Sequence, residues 1–151
     1  MISLYYDTLT KDSFCETKEG VLQLLTPSQK DLVPILGKRS GYDKEYSKQV
    51  ACREAGMAWV MQHELDCDDD NSQQAPQSLA LLPHCASYLH VKLQSTVDAG
   101  DHLVTICELI GTGIWDDDKQ TILRRSPDAP VAPMDHNNVL YTGLLRQDGI
   151  I

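Results

Sequence analysis

The sequence predicts a mainly β, α+β fold with a few short helices, and three observations carry that expectation. Residues 86–97 (ASYLHVKLQSTV) alternate with the period of a strand. Tyr88, His90, Lys92 and Gln94 fall on one side, and Leu89, Val91, Leu93 and Ser95 on the other. Asp98-Ala99-Gly100-Asp101 then reads as a turn, with Gly100 suited to positive φ, and residues 102–111 as a second strand, so the two form a long hairpin. The regular strand–helix alternation of a doubly wound parallel sheet is missing.

The N-terminal half supplies shorter elements. Residues 2–6 (ISLYY) are β-branched and aromatic, as strands prefer. The turn after them, Asp7 to Asp12, is rich in capping side chains. Thr10 or Asp12 is expected to cap a short helix through Lys18, with Gly20 stopping it and residues 21–25 (VLQLL) forming the next strand. Thr26-Pro27-Ser28 starts a helix, because proline fits a first turn. Leu32, Val33, Ile35 and Leu36 give that helix an apolar face, Pro34 keeps it short or kinked, and Gly37 ends it. A loop over 38–43 (KRSGYD) and a further helix over 44–55 follow, with Gly56 beyond.

Two polar excursions interrupt this pattern, at 66–76 (DCDDDNSQQAP) and at 115–138, the latter holding Pro127, Pro130 and Pro133. The tail 139–151 is again amphipathic, with Leu140, Leu144 and Leu145 on one side. No internal repeat is present, and 151 residues suit a single domain.

Composition narrows the function. At 42% hydrophobic and 23% charged residues the chain has the balance of a folded protein rather than a disordered one. No apolar run approaches the roughly 20 residues of a membrane span, and residues 1–7 carry no secretory pattern. Thirteen Lys plus Arg against 22 Asp plus Glu give a formal charge of −9, which repels nucleic acid and anionic membranes. The best basic patch, Lys38-Arg39 with Lys30 and Lys44, suits one small anion. Five widely spaced cysteines read as reduced thiols, so an intracellular, reducing compartment such as the cytoplasm is expected.

Four segments, in order, resemble the flavin reductase-like, FMN-binding split-barrel family. The first is the strand–turn–helix–strand of residues 2–25, with Asp7-Thr8-Leu9-Thr10-Lys11 followed by Glu16-Thr17-Lys18-Glu19-Gly20-Val21. The second, Ser40-Gly41-Tyr42-Asp43-Lys44, is similar to a family loop after a helix. The third is the strand start over 82–91. The fourth and most specific is Gly100-Asp101-His102 with Glu108-Leu109-Ile110 downstream, although Cys107 stands where the family usually has glycine. The resemblance covers most of the chain outside the two excursions. It begins within the family pattern, whose preceding strand and loop contact FMN, so either a longer protein or a reduced flavin site is expected.

The resemblance implies a split β-barrel of Greek-key type, FMN as cofactor, NAD(P)H as a possible reductant, and a homodimer with FMN near the subunit interface. The tail would then pack on the partner or cap the barrel. A phosphate needs hydroxyls, backbone N–H groups and a cation, which a turn into a helix N-terminus offers. Thr8, Thr10 and Lys11 are therefore the candidate phosphate residues, with Tyr6 and Asp7 nearer the ring system and Ser40 adding a hydroxyl. His102 is the candidate catalytic histidine. Hydride transfer itself needs no acid or base, so a missing catalytic triad does not count against a reductase. The plain alternatives are that Thr10 only caps a helix, Lys11 is solvated and His102 is structural. A non-catalytic relative serving as an interaction or structural subunit of a larger complex is the alternative function.

Other patterns are weaker. His63-Glu64-Leu65-Asp66-Cys67 and His84-Cys85 lack the paired half-sites of a structural zinc centre. Asp66, Asp68 and Asp70 have calcium-loop spacing, but Asn71 and Gln77 occupy the positions that need glycine and glutamate. Asp116 to Asp118 read as a solvated loop, and no cysteine–histidine spacing suggests a thiol nucleophile.

Overall fold

The computed structural model describes residues 1–62, 79–125 and 138–150. The first polar excursion and residues 126–137 of the second, together with the histidine–cysteine and calcium-like patterns at 63–77, lie outside the described residues. The elements are β1 (Ile2–Tyr5), α1 (Leu9–Thr17), β2 (Glu19–Leu24), a 3-10 turn (Pro27–Gln29), α2 (Leu32–Gly37), α3 (Lys48–Glu54), β3 (Val60–Gln62), β4 (Leu79–Leu81), β5 (Ser87–Asp98), β6 (His102–Asp116), β7 (Thr121–Arg125) and α4 (Thr142–Gln147). The fold is mainly β with short helices, as expected. Its principal sheet is antiparallel and open, in the order β1-β6-β5-β2, with β7 also on β6.

The β5–β6 hairpin organises this sheet. Gly100 takes φ +83 at its tip, where an L side chain would be strained, and its N–H donates to Asp98 Oδ1 at 2.9 Å. β5 covers one edge of β6. The other edge holds β1 at residues 102–105 and β7 at residues 112–116. Ile110 of β6 and Gln94 of β5 have no cross-strand partner, so each is the extra residue of a bulge that coils the hairpin. β6 is longer than the sequence pattern suggested. It runs to Asp116, and the start of the expected 115–138 excursion is instead a second hairpin into β7.

The core lies on the sheet face that carries Tyr88. Leu32, Cys52, Leu81, Leu82, Cys85, Tyr88 and Ile122 are all buried there, and Val21, Leu25, Trp59 and Trp115 pack around them. Buried polar groups tie the 81–85 segment into place. Tyr88 Oη donates to the Leu82 carbonyl at 2.6 Å, and the Cys85 N–H donates to Tyr88 Oη at 3.2 Å. Gln23 Oε1 accepts from Leu82 N at 2.7 Å, and Gln29 Nε2 donates to the Pro83 carbonyl at 2.8 Å. Burial removes the water that would solvate a phenolate or thiolate, so Tyr88 and Cys85 are both held protonated above their ordinary ranges.

The opposite face is covered by α1. Gly20 pairs with Val91, so the two share a face, and a Cβ at Gly20 would stand 3.1 Å from the buried Phe14 ring. Several helix boundaries differ from those expected. Thr8 caps α1, not Thr10 or Asp12, and Lys18 in the left-handed region (φ 64) ends it, which leaves Gly20 inside β2. Ser47, whose side chain accepts from Val50 N, delays α3 to Lys48. Pro34 is tolerated as the third residue of the six-residue α2, where an N–H has no intrahelical partner in any case. The tail docks on this chain: Leu140 N donates to the Leu25 carbonyl at 2.7 Å, Leu145 is buried, and Lys30 pairs with Asp148 at 2.7 Å. No helix among the described residues is long and apolar enough to cross a membrane.

Candidate functional site

The turn from β1 into α1 gathers the sequence-predicted site residues. β1 ends with Tyr5 opposite His102, so the start of α1 lies beside the tip of the long hairpin. The loop at 40–43 comes from the other side. Tyr42 Oη donates to Asp12, and a Cβ at Gly41 would lie 2.9 Å from Leu9 Cβ. Tyr6, Asp7, Thr8, Thr10 and Lys11 stand on the turn and the first helical residues, Ser40 on the adjoining loop, and His102 on the strand behind.

Local hydrogen bonds decide which of these groups are free to meet a ligand. Thr8 Oγ1 donates to the Tyr5 carbonyl at 2.8 Å and accepts from Lys11 N at 3.3 Å, so its hydroxyl is committed to closing the turn and capping the helix. Asp12 N donates to the Thr8 carbonyl. The N–H groups of Leu9 and Thr10 and the exposed Thr10 hydroxyl then have no partner among the described residues. Ser40 Oγ accepts from Tyr42 N at 3.2 Å, which shapes its own loop.

Charge at the site leans acidic, with Lys11 facing Asp12 while Asp7 and Asp98 act on Tyr42 and Tyr6. Lys11 Nζ pairs with Asp12, which lifts the lysine pKa and lowers that of the carboxyl, and the Tyr42 hydrogen bond lowers the carboxyl further. Tyr42 is in turn raised by Asp12. Lys11 Nζ also lies 5.8 Å from the Tyr6 ring centroid. Tyr6 is held above the usual phenol range, first by desolvation and then by Asp98 at the hairpin tip. The wider basic patch is largely spent on neighbours: Arg39 pairs with Asp43 at 3.4 Å and lies over Tyr46, and Lys30 pairs with Asp148.

His102 has two contacts, neither obvious from spacing alone. Its ring centroid is 3.9 Å from that of Tyr5, at 40° between planes, and its Nδ1 is 2.5 Å from Asp101 Oδ1. The adjacent imidazole holds the Asp101 carboxyl below its ordinary range. Tyr5, Asp12, Tyr42 and Asp98 are the neighbours that sequence reasoning left out of the site. Tyr42 and Asp98 lay inside quoted motifs, whereas Tyr5 is signalled only by the pairing of β1 with β6.

The donor set fits a phosphate monoester next to an aromatic ring system. Two free N–H groups, the Thr10 hydroxyl and the Lys11 ammonium lie at one helix start, where Tyr6 meets Lys11 and Tyr42 meets Asp12, whereas Tyr5 and His102 stack together on the other face of the sheet. A flavin mononucleotide has those two parts. No group of three metal-ligating side chains occurs among the described residues, and His84 is used differently, with Nδ1 3.1 Å from Asp117 Oδ1. Asp117 also accepts from Trp115 Nε1 at 2.8 Å, so this carboxylate, 79% exposed as a solvated turn residue is expected to be, also braces the β6–β7 turn.

No family model matches the chain, and no curated protein matches it in sequence. Solved structures resemble it in fold. An FMN-binding protein from Thermus thermophilus with bound p-hydroxybenzaldehyde aligns with a TM-score of 0.52 at 16% identity, over 78% of this chain and 54% of that one. The FMN-binding protein from Thermus thermophilus with bound 1-cyclohex-2-enone gives 0.52 at 16% identity, over 84% and 64%. The NADH:FAD oxidoreductase SgcE6 of Streptomyces globisporus C-1027 gives 0.50 at 14% identity, over 83% and 62%. The chain thus spans less than two thirds of each of these proteins, and the likeness is one of fold.

Proposed function

We propose that this protein binds FMN and acts as an NAD(P)H-dependent flavin reductase, or transfers electrons through the bound flavin. The observation that carries the reading is the convergence, at the start of α1, of free N–H groups, Thr10 and Lys11 beside the aromatic rings of Tyr6 and Tyr42. The fold likeness to FMN-binding proteins and to an NADH:FAD oxidoreductase supports it.

In this reading the Leu9 and Thr10 N–H groups, the Thr10 hydroxyl and Lys11 hold the phosphate, while Thr8 keeps the helix start in shape and Asp7 and Ser40 border the site. Tyr6 flanks the ring system. When bound, the flavin supplies the hydride and electron chemistry. The chain's task is to hold donor and acceptor rings in stacking order and to keep water away from them. The protein acts as a homodimer. Tyr5, Val97 and Ile106 share one face of the sheet by register and are 61%, 53% and 45% exposed, an apolar patch suited to a second copy.

The test is oxidation of NADH and NADPH followed spectrophotometrically with catalytic protein and excess FMN. Turnover above the rate of free flavin is expected with at least one nucleotide. A rate equal to the protein-free control with both would reject the reductase.

A further inference from the structure

The geometry points to Asp101 as a positioning residue that locks His102 in its Nδ1–H tautomer, leaving Nε2 as a hydrogen-bond acceptor for an N–H of the incoming ligand. Within the reductase reading, on which this ligand assignment rests, the N–H belongs to the carboxamide of the nicotinamide donor.

An ionised carboxylate only accepts hydrogen bonds, so at 2.5 Å from Asp101 Oδ1 the His102 Nδ1 is the donor. A neutral imidazole has one N–H, so with Nδ1 protonated the lone pair is on Nε2. That nitrogen has no partner among the described residues and is not sealed from solvent. Tyr5, with its ring 3.9 Å away, fixes the plane of the imidazole and so the direction of the lone pair. Asp101 is itself 79% exposed and belongs to the tip turn, so its carboxylate is not needed for packing. A primary carboxamide offers an N–H to such an acceptor, whereas a carboxylate in its place offers none.

The experiment is nitrogen-15 NMR of histidine-labelled full-length protein, with the His102 signal assigned from its loss in His102→Asn. Wild type is expected to show the Nδ1–H tautomer. Asp101→Asn, whose amide pairs equally well with either tautomer, is expected to show a mixture. In turnover the same variant should raise KM for the nicotinamide roughly five- to tenfold, the worth of one mispositioned hydrogen bond, with kcat and FMN affinity little changed. An Nε2–H tautomer in wild type, or no change in Asp101→Asn, overturns the inference whatever the kinetics. A fixed Nδ1–H tautomer in a protein that oxidises no nicotinamide supports the positioning role and rejects the reductase reading, so the two failures are told apart.

Discussion

Tyr88 and Leu82 are joined by a buried hydrogen bond of 2.6 Å, from the phenolic hydroxyl to the backbone carbonyl, and the Cys85 N–H donates to the phenolic oxygen at 3.2 Å. One side chain of β5 therefore satisfies two backbone groups of the segment that enters it. Tyr88→Phe keeps the ring but strands the Cys85 N–H and leaves the Leu82 carbonyl with only the weak Cys85 thiol as donor. It should destabilise the protein by about 1–3 kcal/mol, read from urea unfolding. The buried phenol also gives a pH signature. Its folded pKa is raised while an unfolded tyrosine titrates near 10, so its contribution is intact below that pH and is lost as pH rises toward the folded value. Alkaline absorption titration should show Tyr88 ionising only as the protein unfolds, and Tyr88→Phe should lose that late step.

Gly113 lies in β6 opposite Tyr88, where backbone and side chain come close. A Cβ there would stand 2.6 Å from Ile122 Cγ2 and 3.5 Å from Tyr88 Cβ. Gly113→Ala should cost about 1–3 kcal/mol by overpacking. Ile122→Ala removes the clashing methyl, so the double variant should be less destabilised than the sum of the two, as a double-mutant cycle would show.

The two threonines of the β1–α1 turn separate structure from binding. Thr8 carries the cap, so Thr8→Ala should lower stability by about 1 kcal/mol. Thr10 is exposed with an uncommitted hydroxyl, so Thr10→Ala should leave stability within about 0.5 kcal/mol. It should instead weaken FMN binding about tenfold, the loss of one hydrogen bond to a charged group. Thermal denaturation and FMN fluorescence titration measure the two effects separately.

Lys11 is paired with Asp12, so in the proposed site a phosphate would compete with that carboxylate. Asp12→Asn frees the ammonium, and FMN affinity should rise about two- to fivefold, the modest worth of an exposed ion pair. Riboflavin, which has no phosphate, should bind wild type and variant alike. Equal gains for both ligands would place the phosphate away from Lys11.

The hairpin was legible because its signals are local, alternation along β5 and a Gly100 turn, but the bulges at Gln94 and Ile110 and the run of β6 to Asp116 depend on cross-strand pairing. The β1–α1 turn was legible for the same reason, apart from which threonine caps it. Several side chains near the first turn can cap, and the choice is made by the distance from Tyr5 to the helix. The second hairpin was missed because Asp116, Asp117 and Asp118 look solvated in sequence. Trp115 and His84 use the Asp117 carboxylate, and the Asp118 and Lys119 N–H groups use that of Asp116, as turn braces. The polar core around Gln23 and Gln29 was equally hidden, since a glutamine declares its partner only when Leu82 and Pro83 arrive from more than fifty residues away. At the site, the helix-start residues came from local pattern, whereas the Tyr5–His102 stack exists only through β1–β6 pairing.

Flavin binding is decided by an absorption spectrum of the purified protein, taken before and after incubation with FMN and desalting. A flavin band that elutes with the protein and survives desalting is the predicted result, with the band reduced in Thr10→Ala. A colourless protein that retains no FMN at any loading would contradict the claim, leaving a split-barrel-like scaffold whose role must be sought in its protein partners.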